Sequence, residues 1–290
     1  MSRLLYKLRI AWRILGLGAV TVFCWAGMEV AFLLRGRKPR IAVVNRWVPR
    51  WAGGLLKLFG VKVYVRGVEQ FPQGIYPGAA DNGIGRIFVL NHRSSLDIGV
   101  LLTYAAAHAI SRHDLANWFL IGPGARRIGT LFVNRADRRS GAEVLREVDQ
   151  ALARGEGVGM FPEGTAYAGD AVRPFRPGAF KAAERADAEI VPVGIAYDHA
   201  DACYGDESFM SHLKRIAGMK RIRAAVEFGE PVPPDERSPI EVRDDVHERV
   251  AELVQAARAR LGQGPHTESM VYRAGVPKEP EPVENEPAAK

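Results

Sequence analysis

The chain has 290 residues, 47% hydrophobic and 25% charged, a balance ordinary for a globular protein with one sizeable core and appendages or two small domains. Its two cysteines, Cys24 and Cys203, form no framework and no CxxC pair, which speaks against a disulfide scaffold and a structural zinc site. The net charge of +7 favours an anionic partner, and nucleic acid, anionic lipid and phosphorylated metabolites all fit it.

Residues 14–34 are an apolar run of 21 between Arg13 and Arg35, long enough to span or to enter a bilayer. The run exceeds a signal-peptide core and is followed by no small-x-small cleavage site. Glu29 is its one charge, and basic residues flank it on both sides, so the positive-inside rule gives no orientation. It either spans or enters one leaflet and returns. Residues 41–59 mix Trp47, Trp51 and Phe59 with Arg46, Arg50 and Lys57, as suits a helix in the headgroup region, broken near Pro49. An amphipathic helix packed on the core has the same pattern. Residues 1–60 are thus expected to be a membrane-associated helical segment at the cell membrane.

Val61, Val63 and Val65 alternate with polar residues as in a half-buried strand, and 71–84 read as loop. The apolar run 87–90 is a strand that ends in Asn91-His92-Arg93-Ser94-Ser95-Leu96-Asp97, and a helix follows to about Ile110. His108 and His113 then fall at that helix's end. Residues 118–121 are a short strand candidate, Gly122-Pro123-Gly124 a turn, and 129–135 a second strand ending at Arg135. Ser140 and Glu143 form a capping-box pattern ahead of a helix that stops at Gly155. The strand 158–161 runs into Pro162-Glu163-Gly164-Thr165, a helix spans 178–186, and 190–197 is apolar throughout. A further strand covers 221–228. Ser238-Pro239-Ile240-Glu241 opens the last helix with a capping box. The Pro- and Glu-rich residues 263–290 read as a disordered tail.

Strands alternating with helices, several strands being solidly apolar, predict an α/β domain over 61–262 with a mainly parallel central sheet flanked by helices. Three strands end in polar sequence, at His92, Arg135 and Glu163, and in a parallel sheet such ends share one edge. A histidine and an aspartate there suit a base and the carboxylate that orients it. Ser94, Ser95 and Asp97 equally suit a helix N-terminus. The cluster Asp198-His199-Ala200-Asp201 with Cys203 matches no standard metal spacing and reads as a surface turn, so no metal is expected.

Taken in order, NHRSSLD (91–97), GTLFVNR (129–135), FPEGT (161–165) and IVPVGIAY (190–197) resemble the lysophospholipid and glycerolphosphate acyltransferase family, its bacterial 1-acylglycerol-3-phosphate acyltransferases above all. The likeness covers roughly residues 40–230. It implies transfer of a fatty acyl group from acyl-CoA or acyl-carrier protein to the free hydroxyl of lysophosphatidic acid, with no cofactor. The resemblance makes His92 and Asp97 catalytic. It assigns Arg135, Glu163, Gly164 and Thr165 to the substrate. Arg135 would take an acceptor phosphate, and Glu163 a glycerol hydroxyl or Arg135 itself. No GxSxG elbow or Cys–His pair stands in the chain, so attack is expected to be direct.

The sequence departs from the family after EGT, where Ala166 replaces a common arginine; Arg173 or Arg176 is expected to supply that charge. Tyr204-Gly205-Asp206 resembles a segment of lyso-ornithine-lipid acyltransferases, which leaves the acceptor open between lysophosphatidic acid, lyso-ornithine lipid and glycerol-3-phosphate. A non-catalytic lipid-binding module is the alternative outside enzymology, and an intact His92–Asp97 pair speaks against it. Partners are therefore the bilayer, the acceptor and the acyl donor, with the catalytic domain on the cytoplasmic side. Nucleic acid is not expected, since no motif for it appears.

Overall fold

The computed structural model describes residues 3–36, 39–118, 121–134 and 137–262. The tail expected from 263 onward lies outside them, as does Arg135. The described residues form seven strands and eight α-helices in the order α1 (Arg3–Leu34), α2 (Arg40–Leu58), β1 (Val61–Arg66), β2 (Ile87–Leu90), α3 (Leu96–Tyr104), β3 (Ala107–Arg112), α4 (Ile121–Arg127), β4 (Leu131–Val133), α5 (Arg138–Ala153), β5 (Gly157–Met160), α6 (Gly178–Ala186), β6 (Ile190–Tyr197), α7 (Phe209–Gly218), β7 (Ile222–Phe228) and α8 (Pro239–Arg260).

The sheet runs β1-β7-β6-β2-β5-β3-β4, and β6–β7 is its one antiparallel pair, so the expected mainly parallel α/β architecture is what forms. The period of two along β2 builds both layers. Phe88 and Leu90 join the core on one face, with Val100 and Leu101 of α3 and Ile216 of α7. Ile87 and Val89 join the other, with Val148 of α5, Phe180 of α6 and Val250 of α8. The helix α8 lies close on β6 because position 194 is glycine: a Cβ there would sit 2.4 Å from the Leu253 carbonyl carbon. The capping box expected at its start is formed, Ser238 accepting from the Glu241 N–H and Glu241 from the Ser238 N–H.

Several expectations need correction. The helix after the His92 stretch stops at Tyr104, and 107–112 are β3. That Ala-rich segment has helical propensity, yet β5 and β4 pair with it from either side, and tertiary pairing overrides propensity. His108 is therefore a strand residue. Of the strand expected over 118–121, residues 119–120 lie outside the described residues, while Ile121 opens α4 and Gly122-Pro123-Gly124 fall in its first turn, where proline has no hydrogen bond to lose. Ser140 does not cap α5; Asp137 does, accepting from the Arg139 N–H at 2.9 Å, and Ser140 Oγ accepts from the Asn134 N–H instead. The helix α2 passes unbroken through Pro49, its packing on α1 and α3 offsetting the lost backbone bond. The sequence reading assigned no helix to α7, which Ser208 caps.

α1 and α2 form a hairpin, kept close by glycines at positions where a side chain would strike Leu58 or Trp47. Arg13 on α1 is buried and donates to the carbonyls of Leu58 (3.0 Å), Ala217 (3.1 Å) and Met219 (2.5 Å), satisfying the open C-terminal end of α7. Near the other end of α1, Glu29 accepts two bonds from Arg127 of α4 at 2.6 Å each. The charge inside the apolar run is thus paired. The outward face of α1 keeps Trp12, Leu15, Phe23 and Leu33 exposed.

Candidate active site

The strand β2 ends at Leu90, and Asn91 locks the departing chain. Its side chain donates to the Ile195 carbonyl (2.9 Å) and accepts from the Ile195 N–H (2.8 Å), in place of a ladder pair with β6. The next four residues turn into α3. His92 Nδ1 lies 2.7 Å from Asp97 Oδ2. A carboxylate oxygen can only accept, so Nδ1 carries the hydrogen and Nε2 of the neutral ring is left basic. Phe161 stacks on the imidazole at 4.3 Å between ring centres and fixes its plane.

Asp97 is fully buried. Its Oδ2 also accepts from the N–H groups of Arg93 (2.6 Å) and Ser94 (2.9 Å), and its Oδ1 accepts from the Tyr197 hydroxyl (2.6 Å). The carboxylate therefore holds the turn ahead of α3 and the histidine together. Burial first, and then the Asp97 charge, push the Tyr197 phenol well above its usual range, which keeps it a donor.

β6 and β5 are the two neighbours of β2, and each delivers one support to the dyad. Tyr197 arrives from the end of β6. From beyond β5 comes Glu163, buried, facing the buried guanidinium of Arg93 with Nη1 at 3.0 and 3.1 Å from its two oxygens. Glu163 also accepts from the N–H groups of His92 (2.8 Å) and Arg173 (3.1 Å). Protein donors thus stand where an acceptor hydroxyl or Arg135 was expected. The carboxylate pins the backbone of His92, and the Tyr167 N–H donates to the His92 carbonyl (3.1 Å) beside it.

Gly164 has φ of +83°, and a Cβ there would meet the Arg176 guanidinium at 2.6 Å. Of the two arginines expected to replace the one missing after EGT, Arg176 is therefore the one lying on the EGT turn. Arg173 instead stands over the Tyr167 ring. Arg135 lies outside the described residues, and its strand β4 is separated from β5 by the unforeseen β3, so those two strand ends are not neighbours.

His92, Thr165 and Ala166 line a cavity of about 810 Å³, whose walls also come from α1, α2, α3, β3, α4 and α7, with Cys24, Met28 and Trp51 among them. This is the size of a site for a lipid-like or drug-sized molecule, ~300–1,000 Å³. Cys203 is no nucleophile: burial pushes its thiol up to about 12. Sequence reasoning missed Arg93, Tyr197 and Phe161 as members of this site. For Arg93 and Tyr197 the one available sign was a charge or a polar tip embedded in motif or apolar sequence; Phe161 carried none.

A family model described as "Acyltransferase" matches residues 62–196. A 1-acyl-sn-glycerol-3-phosphate acyltransferase of Neisseria gonorrhoeae is 30% identical over 156 residues, 52% of this chain and 61% of the relative's length. A lyso-ornithine lipid O-acyltransferase of Pseudomonas aeruginosa is 31% identical over 245 residues, 80% of this chain and 87% of the relative. In fold, the chain is similar to the crystal structure of the 1-acyl-sn-glycerophosphate acyltransferase of Thermotoga maritima, with a TM-score of 0.71 at 23% identity, covering 90% of this chain and 99% of that one. By the extent of the Pseudomonas likeness, with which the family model over residues 62–196 agrees, the chain belongs to the acyltransferase family.

Proposed function

We propose that the protein moves a fatty acyl group from acyl-CoA or acyl-carrier protein to the free hydroxyl of lysophosphatidic acid, giving phosphatidic acid for phospholipid biosynthesis. The observation that carries this reading is His92, its Nδ1 held by Asp97 while the ring borders the large apolar cavity. An acceptor hydroxyl beside Nε2 gives up its proton as its oxygen attacks the thioester carbonyl carbon. Such a base contributes about 10²–10⁴-fold. Asp97 stabilises the imidazolium so formed, which then protonates the departing thiolate as the C–S bond breaks. Transfer is direct, without an acyl-enzyme. Arg176 and Arg135 are the groups assigned to the acceptor phosphate, and Thr165 is on the cavity wall.

The hairpin seats the protein at the membrane. α1 is long and apolar enough to cross a bilayer, yet it is tied to the domain near both ends, through Arg13 and through Glu29. A helix held along the domain surface with one apolar face outward enters a single leaflet. We place the catalytic domain on the cytoplasmic side, where both acyl donors are found.

A lyso-ornithine lipid acceptor is the second reading, favoured by the long Pseudomonas match and by Tyr204 and Gly205 on the cavity wall. Membranes containing the protein, or its His92→Ala variant, are incubated with labelled acyl-CoA or acyl-carrier protein and each of lysophosphatidic acid, lyso-ornithine lipid and glycerol-3-phosphate. Phosphatidic acid from the wild type alone is the expected result. Product from a different acceptor replaces the substrate assignment, and turnover by the variant overturns the mechanism.

A further inference from the structure

A second histidine–carboxylate pair stands behind the first. His212, on α7, has no solvent exposure. Its Nε2 lies 3.2 Å from the Ser95 backbone nitrogen and 3.3 Å from Ser94 Oγ, and its Nδ1 lies 3.1 Å from Glu207 Oε1. Nδ1 stands 3.1 Å from both Glu207 Oε1 and Arg215 Nη2; with Nε2 accepting from the Ser95 N–H, which can only donate, the ring hydrogen on Nδ1 is directed at Glu207. Tyr204 stacks on the imidazole at 3.7 Å between ring centres, and its backbone N–H donates to the Arg93 carbonyl (2.7 Å). Arg215 bonds Glu207 and the Cys203 carbonyl, closing the support.

The amides of the turn ahead of α3, like those of the helix's own first turn, need partners from outside the helix. Here Asp97 takes those of Arg93 and Ser94, Ser94 Oγ takes that of Leu96 at 3.3 Å, and His212 takes that of Ser95. We propose that His212, backed by Glu207 and Tyr204, is a positioning residue for acyl transfer, fixing the backbone turn that aims Asp97 at His92. It does not touch substrate: its side chain is fully buried and off the cavity wall, to which Tyr204 and Glu207 beside it belong, and both ring nitrogens are engaged. Burial pushes its pKa down to about 4, so at neutral pH it remains the neutral acceptor that this role needs. The inference rests on His92 being the base.

The test measures kcat, both KM values and Tm in detergent for the wild type, His92→Ala, His212→Leu, His212→Gln and Glu207→Gln. Misplacing a catalytic group by a fraction of an ångström to 1 Å costs up to about 100-fold. His212→Leu should lose about 10- to 100-fold in kcat with both KM values unchanged. His212→Gln, whose amide oxygen can accept from Ser95 while its NH₂ faces Glu207, should recover most of that loss. Full kcat in His212→Leu overturns the proposal, as does a loss carried by KM. If His212→Leu does not fold, Glu207→Gln decides: reduced kcat at unchanged KM supports the role, and unchanged kcat overturns it. Turnover by His92→Ala instead removes the base assignment itself, a failure distinguishable from any of these.

Discussion

Replacing Asp97 by asparagine isolates the charge of the carboxylate from its geometry. Three donors converge on Asp97 Oδ2, from His92, Arg93 and Ser94, so the amide oxygen of Asp97→Asn will occupy that place. Its NH₂ then faces the Tyr197 oxygen, a hydroxyl that can accept as well as donate. Every bond has a successor, and the ring hydrogen stays on Nδ1. The fold and the tautomer are retained; only the negative charge beside the forming imidazolium is lost. At a separation of about 4 Å and an effective dielectric of about 20, that charge is worth about 4 kcal/mol. Since the proton is only partly transferred in the transition state, kcat should fall by about 10²–10³-fold. Release of free CoA from saturating acyl-CoA and acceptor gives kcat, and a thermal melt verifies that the variant is folded. A folded variant whose kcat stays within about threefold of wild type, under about 1 kcal/mol, would refute the role of Asp97 and with it His92 as the base.

Three other outcomes follow from named contacts. Glu163→Ala leaves the buried Arg93 guanidinium without its carboxylate, a loss of about 3–5 kcal/mol, so Tm should drop by roughly 10 °C and kcat should fall at unchanged acceptor KM. A raised acceptor KM with Tm intact would return Glu163 to the substrate. Gly194→Ala forces a Cβ against the backbone of α8 and should cost about 1–3 kcal/mol in urea unfolding, whereas Gly18→Ala, with nothing within 4 Å, should be neutral or stabilising. His212 falls from the usual 6.5 to about 4 on folding. The unfolded chain therefore binds that proton first, and stability present above pH 6.5 is lost as pH falls toward 4, by about 3 kcal/mol. The Tm of His212→Gln should decline less over that interval, and parallel curves would contradict the shift.

The positions of β2, β5 and β6 explain why one turn can hold so many groups. β2 lies between two parallel neighbours, and each ends at the same sheet edge. Tyr197 is on the face of β6 shared with α3, two residues beyond Ile195 in the same core. Its hydroxyl meets Asp97 in the first turn of that helix without any local contribution from the chain between them.

Sequence alone determined whatever repeats or closes over a few residues. The apolar runs of β2, β5 and β6, the helix 178–186, the Ser238 box and the His92–Asp97 spacing are all signals of that kind, as is the apolar length of α1. The four blocks in order carried the family. What the sequence did not determine depends on partners far along the chain. The segment 107–112 became a strand because β4 and β5 flank it. Asp137 rather than Ser140 caps α5 because Ser140 is held by Asn134. Glu163 pairs with Arg93, 70 residues away, because both are buried and neither can be left unpaired. His212 lies 117 residues beyond the amide it accepts from. Local periodicity places reacting groups at a sheet edge; their alignment comes from burial and hydrogen-bond saturation, which exist only once distant segments have packed.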